Sequence, residues 1–295
     1  MNLSELIYKR FTDTVELTKH LTTFDGKPAI FSPDSPEDNQ SGWGGNTQYP
    51  KVVYSYDMQA NEDRNSAGIL SVSLLCQNTT EIEPEAIEPE IRKCLRDVVL
   101  TPTDGTPYCF SWARTDSFTV DDKTGSPYMT IGCELRFDIL EYPPMETTDP
   151  DPVIATSRYI KEAFPECVVI GYDKMEEITE ASAERPIIYC RLIAIEKSEE
   201  TNSVAWMDGK IGIHVICPDA VVRLKLTVGI ANRLSIDGEI ILFDYSPMFI
   251  KKLQSNTKSD YIKEGQILMT GHYGLLRYKA KSHTMNNINV ETNFR

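Results

Sequence analysis

Basic side chains are scarce: of 295 residues only 30 are Lys or Arg, against 44 Asp or Glu, giving a formal net charge of −14. That excludes a chain that wraps nucleic acid, because phosphate binding needs clustered Lys and Arg, though DNA passing nearby is still allowed. Histidine is scarcer still. His20, His214, His272 and His283 are scattered, and none sits in an HExxH motif or beside a nucleophile elbow. The seven cysteines, an odd number, contain no CxxC pair, so the close ligand spacing of a zinc site is missing. No apolar run approaches the ~18 residues of a membrane span, and Met1–Arg10 lacks the charged start and apolar stretch of a signal peptide. A chain that stays in the cytoplasm where it is made, with no membrane contact, is expected. The one Gly-rich loop, Ser41-Gly-Trp-Gly-Gly-Asn46, has no Lys-Ser/Thr after it and a Tyr-Pro and a strand rather than a helix behind it, so phosphate-loop and dinucleotide fingerprints both fail. No catalytic residue, cofactor or metal is expected, and the chain reads as a non-enzyme.

What is present suits two ordinary cores: 41% of the residues are apolar, and the length fits two domains of roughly 100–200 residues each. Leu3, Leu6, Ile7, Phe11, Thr14, Leu17 and Leu21 recur at helical spacing and predict one amphipathic helix ending near Gly26-Lys-Pro28. A short strand at Ala29–Phe31, strands at Lys51–Tyr56 and Ile69–Cys76, a helix from Pro84 or Pro89 to Leu100, and strands at Pro107–Thr115 and Tyr128–Leu140 follow. In the last of these, alternation places Cys133 with Ile131, Leu135, Phe137 and Ile139 on an apolar face and Glu134, Arg136 and Asp138 in water. Cys94 falls on a helical stripe with Ile91, Leu95, Val98 and Val99. His214, out of phase with Ile213 and Val215, is expected to face solvent or the far side of its sheet.

Four prolines in the eleven residues Tyr142–Pro152 predict a stiff, extended linker. Beyond it the order restarts: a helix at Ile154–Phe164, strands at Cys167–Tyr172, Pro186–Ile195 and Lys210–Cys217, a helix at Val221–Leu234, and strands at Glu239–Tyr245 and Gln266–Tyr278. Gly68–Cys76 aligns without a gap on Gly209–Cys217, and Tyr49–Tyr54 on Arg185–Cys190. Met129-Thr130 matches Met269-Thr270, Leu135-Arg-Phe137 matches Leu276-Arg-Tyr278, and Asp104-Gly105 matches Asp237-Gly238. The expected fold is α+β: two tandem copies of a small domain, each a mainly antiparallel sheet packed by two helices. Residues 1–141 form the first copy, 142–152 the linker, 153–279 the second copy and 280–295 an extended C-terminal arm.

The negative charge is concentrated in the first copy. Residues 1–148 carry 12 basic and 24 acidic side chains, whereas residues 152–295 carry 18 of each. Glu83, Glu85 and Glu88 crowd the start of the helix after Pro84, where the helix dipole favours them, and Asp121-Asp122 adds another pair. The loop with Trp43, Gly44 and Gly45 is expected either to present its indole to a partner or to be a plain disordered tip, and the arm with Ile288, Val290 and Phe294 either to add as an edge strand to a neighbour or to fray.

Three segments, Tyr49–Tyr54, Gly68–Cys76 and Glu85–Leu95, follow an amphipathic first helix and lead to two closing strands. In that order the chain resembles the tail terminator, or tail completion, proteins of tailed bacteriophages. The resemblance implies a structural virion protein: a ring that caps the tail tube, ends its polymerisation and joins the tail to the head and neck. The partners it implies are further copies of the chain, the tube protein, a neck or connector protein and, for the second copy, sheath. Six chains match a sixfold tube; three chains whose six domains imitate a hexamer are the alternative. In such a ring Glu83, Glu85, Glu88, Asp121 and Asp122 are lumen candidates, since carboxylates repel passing DNA over the ~10 Å Debye length. Other readings are a head–tail connector, a tube or sheath subunit, or an intracellular two-domain ligand-binding protein or enzyme.

Overall fold

A computed structural model describes residues 1–37, 43, 45–60, 66–78, 83–121, 129–144 and 150–277. The chain opens with α1 (Leu3–Asp13), a single turn α2 (Val15–Thr18), and the short strands β1 (Thr23–Phe24), β2 (Lys27–Pro28) and β3 (Ile30–Phe31). It continues through β4 (Lys51–Asp57), β5 (Gly68–Gln77), α3 (Pro84–Leu95), β6 (Val98–Leu100), β7 (Tyr108–Asp121) and β8 (Met129–Glu141). The second half holds α4 (Pro152–Ala163), β9 (Val168–Val169), β10 (Ile178–Glu180), β11 (Ile187–Glu200), β12 (Val204–Ile216) and α5 (Ala220–Asp237). It closes with β13 (Glu239–Ile241), β14 (Pro247–Ser255) and β15 (Ile267–Leu276). The fold class is α+β.

Two sheets carry the structure. The first has the order β10-β6-β7-β8-β5-β4-β3 and the second β13-β14-β15-β12-β11-β9. Setting β10 aside, the orders correspond strand for strand. β3 runs parallel to β4 as β9 does to β11, and every other neighbouring pair is antiparallel. Register adds to this: Tyr54 lies opposite Val72, and Cys190 opposite Ile213. The gapless matches Tyr49–Tyr54 on Arg185–Cys190 and Gly68–Cys76 on Gly209–Cys217 therefore fall on equivalent positions. Leu70, Val72, Leu74 and Cys76 are buried on β5, and Ile211, Ile213, Val215 and Cys217 at the matching places. The remaining matches do not correspond. Ile139 on β8 and Gly271 on β15 face equivalent partners, Gly68 and Gly209, so Met129 and Met269 stand at different depths, the first 37% exposed and the second fully buried. Asp104-Gly105 lies between β6 and β7, whereas Asp237-Gly238 ends α5.

Local chemistry sets the element ends. Asn2 and Glu5 cap α1 reciprocally, and its buried face is Leu3, Leu6, Ile7 and Phe11. The expected single helix breaks at Thr14, whose Oγ1 donates to the Arg10 carbonyl at 2.8 Å. The expected helix to Leu100 stops at Leu95. Asp97 takes a left-handed φ of 57°, and the β-branched Val98-Val99 pair as strand rather than helix. Asp219 caps α5, and Gly238, at φ 71°, closes it. Four further strands escape the sequence pattern: the two-residue β1 and β2, and β10 and β14. β10 is three residues long, and β14 loses its alternation at a register shift between Ile250 and Lys252.

The two halves are not joined by a free linker. β10, from the second half, extends the first sheet by pairing with β6. Tyr142 is 1% exposed and Asp151 N-caps α4, so both ends of the proline-rich segment are packed, while residues 145–149 lie outside the described residues. α1 and α3 cover one face of the first sheet, and α4 and α5 one face of the second. A third core, including Val99, Cys109, Leu140, Ile187, Tyr189 and Ile216, lies between the sheets.

Candidate functional site

All seven cysteines are buried and free. Burial pushes the thiols of Cys76, Cys133, Cys167 and Cys190 up to about 12, so they are protonated at neutral pH and are poor nucleophiles. Among the described residues no three His, Cys, Asp or Glu side chains gather as a metal site would require. His272 stacks on Trp206 at 4.8 Å and bonds Asp208 at 2.6 Å, and Lys251 lies 3.2 Å from the same carboxylate. This is a closed ion-paired cluster.

His214 takes the second of its two expected places, the far side of the sheet, where it is fully buried. Its Nδ1 lies 2.9 Å from the Tyr261 carbonyl, which only accepts, so Nδ1 carries a proton. Burial, and then the charge of Arg191, lower its pKa to about 3. Tyr142 stacks on Tyr189 with centroids 4.2 Å apart, and both rings tilt against His214. Tyr142 donates to the Ile262 carbonyl, and Tyr189 to the Pro143 carbonyl at 3.1 Å. The loop between β14 and β15 clamps the first sheet. Tyr261 donates to buried Asp97 at 2.7 Å, Ser111 to Asp260 at 3.2 Å, and Lys263 to Asp138 at 2.6 Å. Asp138, expected in water, is therefore 2% exposed under this loop.

Beside the junction lies a cleft of about 550 Å³ lined by Arg92, Arg96, Trp112, Arg223, Lys258 and Tyr261. Most of its cations are engaged. Arg92 pairs with Glu88 at 2.9 Å, Arg96 with Asp97 at 3.3 Å and with the Tyr261 hydroxyl at 3.1 Å, and Arg223 with the Cys217 carbonyl.

The residues singled out from sequence fare unequally. Trp43 is not presented to a partner: it is 3% exposed and packs edge-on against Phe24 and Phe31 at 4.9 and 5.4 Å. Buried Lys51 holds its ammonium 5.5 Å from the indole centre and donates to Gln48 at 2.5 Å. Three aromatic rings and an amphipathic lysine remove more apolar surface from water together than an exposed loop tip would, which is why the indole turns inward. Gly45 opens a short 3₁₀ turn, and Gly44 lies outside the described residues, as do Ile288, Val290, Phe294 and Asp122. Glu83, Glu85 and Glu88 sit on or beside the first turns of α3. Glu88 also accepts from Thr115 at 2.8 Å, and Asp121 ends β7 about 20 Å further along that strand. The acidic candidates therefore form two groups rather than one.

Surfaces that the sequence reading missed stand out instead. On α5, Leu226, Ile230 and Leu234 are buried, yet Val221, Leu224, Val228 and Ile236 are 60%, 47%, 42% and 79% exposed. This helix is apolar on both sides. β13 ends the second sheet, and Ile241, Phe243 and Tyr245 in and after it are exposed. The signal was available in Val221–Leu234, where apolar residues fall on more than the one face that a core demands. Among the described residues no helix is long and apolar enough to cross a membrane. No protein-family profile and no curated protein matches the chain.

Proposed function

We propose that the chain is an assembly protein built from two copies of one α-β-β-β-α-β-β-β unit, and that it serves as the tail terminator of a tailed bacteriophage. It forms a ring that caps the tail tube, ends polymerisation and offers the joint to head and neck. One observation carries the assembly part: exposed apolar side chains along α5, which leads through Gly238 into a sheet edge that nothing covers among the described residues, in a chain whose cysteines and buried histidine are closed off in cores. Exposed apolar surface of this kind favours contact with other protein. The matching strand order and the registers of β4–β5 and β11–β12 support the duplication. The order Tyr49–Tyr54, Gly68–Cys76, Glu85–Leu95 supports the terminator class, and the acidic first half suits a conduit to which DNA does not stick. Virion location, the ring of six and contact with tube, neck and sheath proteins belong to this proposal. The test is to mix the purified chain with its tail tube protein and view tube ends by electron microscopy. Shortened tubes ending in a ring are expected. A strict monomer by light scattering that leaves tube length unchanged overturns the reading.

A second reading, a two-domain ligand-binding protein, is favoured by the cleft beside Arg96, Trp112, Arg223 and Tyr261. It ranks lower because those guanidinium groups already have partners within the protein. Binding of inorganic phosphate or a small dicarboxylate at micromolar affinity, lost in Arg223→Ala, would favour it.

A further inference from the structure

The two sheets treat equivalent edges differently. In the first, β6 is covered by β10: the Thr101 amide donates to the Glu177 carbonyl and the Ala181 amide to the Asp97 carbonyl, both at 2.9 Å. In the second, β13 holds the place of β6 and nothing covers it among the described residues. Ile240 pairs with Met248, while the Gly238 carbonyl and the Leu242 amide are bonded by Ile250 and Ser246. Alternation along the strand then aims the backbone of Glu239 and Ile241 away from the sheet. Arg158 caps the Ile241 carbonyl at 2.5 Å while its guanidinium lies 4.3 Å over the Phe243 ring, a surface side chain that an incoming strand can displace.

We infer that this edge is closed by the C-terminal segment, residues 278–295, of a second copy of the chain, added as an antiparallel strand along β13. The inference rests on the assembly reading above and names its contact. Three features select this occupant. β15 ends at Leu276 at the same end of the sheet as Ile241, and the eighteen residues beyond Arg277 span up to about 60 Å when extended. Ile288-Asn289-Val290 alternates apolar and polar residues as a half-covered strand does. Lys279, Lys281 and Arg295 outnumber Glu291 in the segment, whereas the edge offers Glu239 and Asp244. A second copy is chosen over the same chain's own segment because its body can also cover Val221, Leu224, Val228 and Ile236, exposed on the α5 helix that leads into β13.

The experiment uses the full chain, a chain ending at Arg277, and a labelled peptide of residues 278–295. The full chain is expected to self-associate in light scattering, and truncation to weaken association at least tenfold. The peptide should bind the truncated chain, and Ile241→Pro, which removes the outward amide that an edge strand can spare, should abolish binding while circular dichroism stays unchanged. If Ile241→Pro fails to fold, Ile241→Lys serves, with at least a tenfold loss expected. Equal association with and without the segment, or peptide binding indifferent to both substitutions, overturns the inference. So does a monomeric full chain whose own segment blocks the peptide, which would make the closure internal. Tube capping is scored separately. A chain that associates through the segment but caps nothing keeps this contact and loses the terminator reading. A chain that caps equally well when truncated, and associates equally well, does the reverse.

Discussion

The two sheets share an interior and differ outside. Counted from their N-caps, Glu83 and Asp219, α3 and α5 place Glu85, Glu88 and Arg92 where Val221, Leu224 and Val228 stand. The first helix closes its outer face with ion pairs, Arg92 to Glu88 and Lys93 to Glu90, whereas the second leaves an apolar stripe. At the sheet edges β6 has β10, and β13 has no cover among the described residues. Burial constrains the alternation of β5 and β12 to match, because a one-residue slip would put every core side chain on the wrong face. Nothing comparable constrains the outside. That surface is where one half carries ion pairs and the other exposed apolar side chains.

The largest expected effect tests whether the first sheet is as self-contained as this contrast claims. Trp43 covers Phe31 of β3, so Trp43→Ala should lower the unfolding free energy by roughly 3–5 kcal/mol in urea denaturation. A loss below about 1 kcal/mol would return Trp43 to the role of a partner-facing residue. Next, Thr179→Pro strikes the strand that closes β6. Thr179 lies opposite Val99 between the hydrogen-bonded pairs Glu177/Thr101 and Ala181/Asp97, so proline removes a ladder bond and should cost about 2 kcal/mol. Native hydrogen exchange should then show faster exchange at Thr101. Unchanged protection there would mean that β10 is not what closes this edge.

Much of this was legible in sequence. Helical spacing in Leu3–Phe11 and strand alternation in Gly68–Cys76 each encode a single buried face, and periodicity reads single faces well. It fails where a residue serves two cores. Asp138 alternates as a solvent position, but the β14–β15 loop buries it; His214 is likewise out of phase with its strand's core and fills the junction. Val98-Val99 continues a helical stripe in sequence, yet Asp97 turns the chain and β10 pairs with it from about 80 residues away, a contact no local pattern contains. Trp43 was misjudged because loop composition suggests exposure, while its burial depends on Phe24, Phe31 and Lys51, which meet it only in the fold.

A pH titration sharpens the contrast at matched positions on β5 and β12, where the first sheet has Ser73 and the second His214. Folded His214 titrates near 3 and unfolded histidine near 6.5, so between these values the unfolded chain binds a proton that the folded chain does not. Its neutral burial therefore leaves stability unaffected above pH 6.5. As pH falls toward 3, stability declines by about 1.4 kcal/mol per unit, or roughly 2 kcal/mol at pH 5. In His214→Gln this part of the slope should vanish, leaving only the carboxylate contribution. Parallel urea midpoints for the two proteins between pH 7 and 4 would show that His214 is not the acid-sensitive element of the second sheet.

The smallest effect on stability belongs to the surface with most bearing on assembly. Val228 is 42% exposed in the middle of the α5 stripe, so Val228→Glu removes little buried area and should change unfolding free energy by no more than about 0.5 kcal/mol. Against a second copy, the same carboxylate must be desolvated beside Val221 and Leu224, with only exposed Lys225 one turn away to offset it, which should weaken self-association tenfold or more. Glu85→Lys is the control on α3, an exposed position whose equivalent is Val221, and it should leave association unchanged. If both substitutions, or neither, shift the light-scattering mass, the outer faces of α3 and α5 are not divided between water and protein. The contrast between the two halves would then lie in β13 alone.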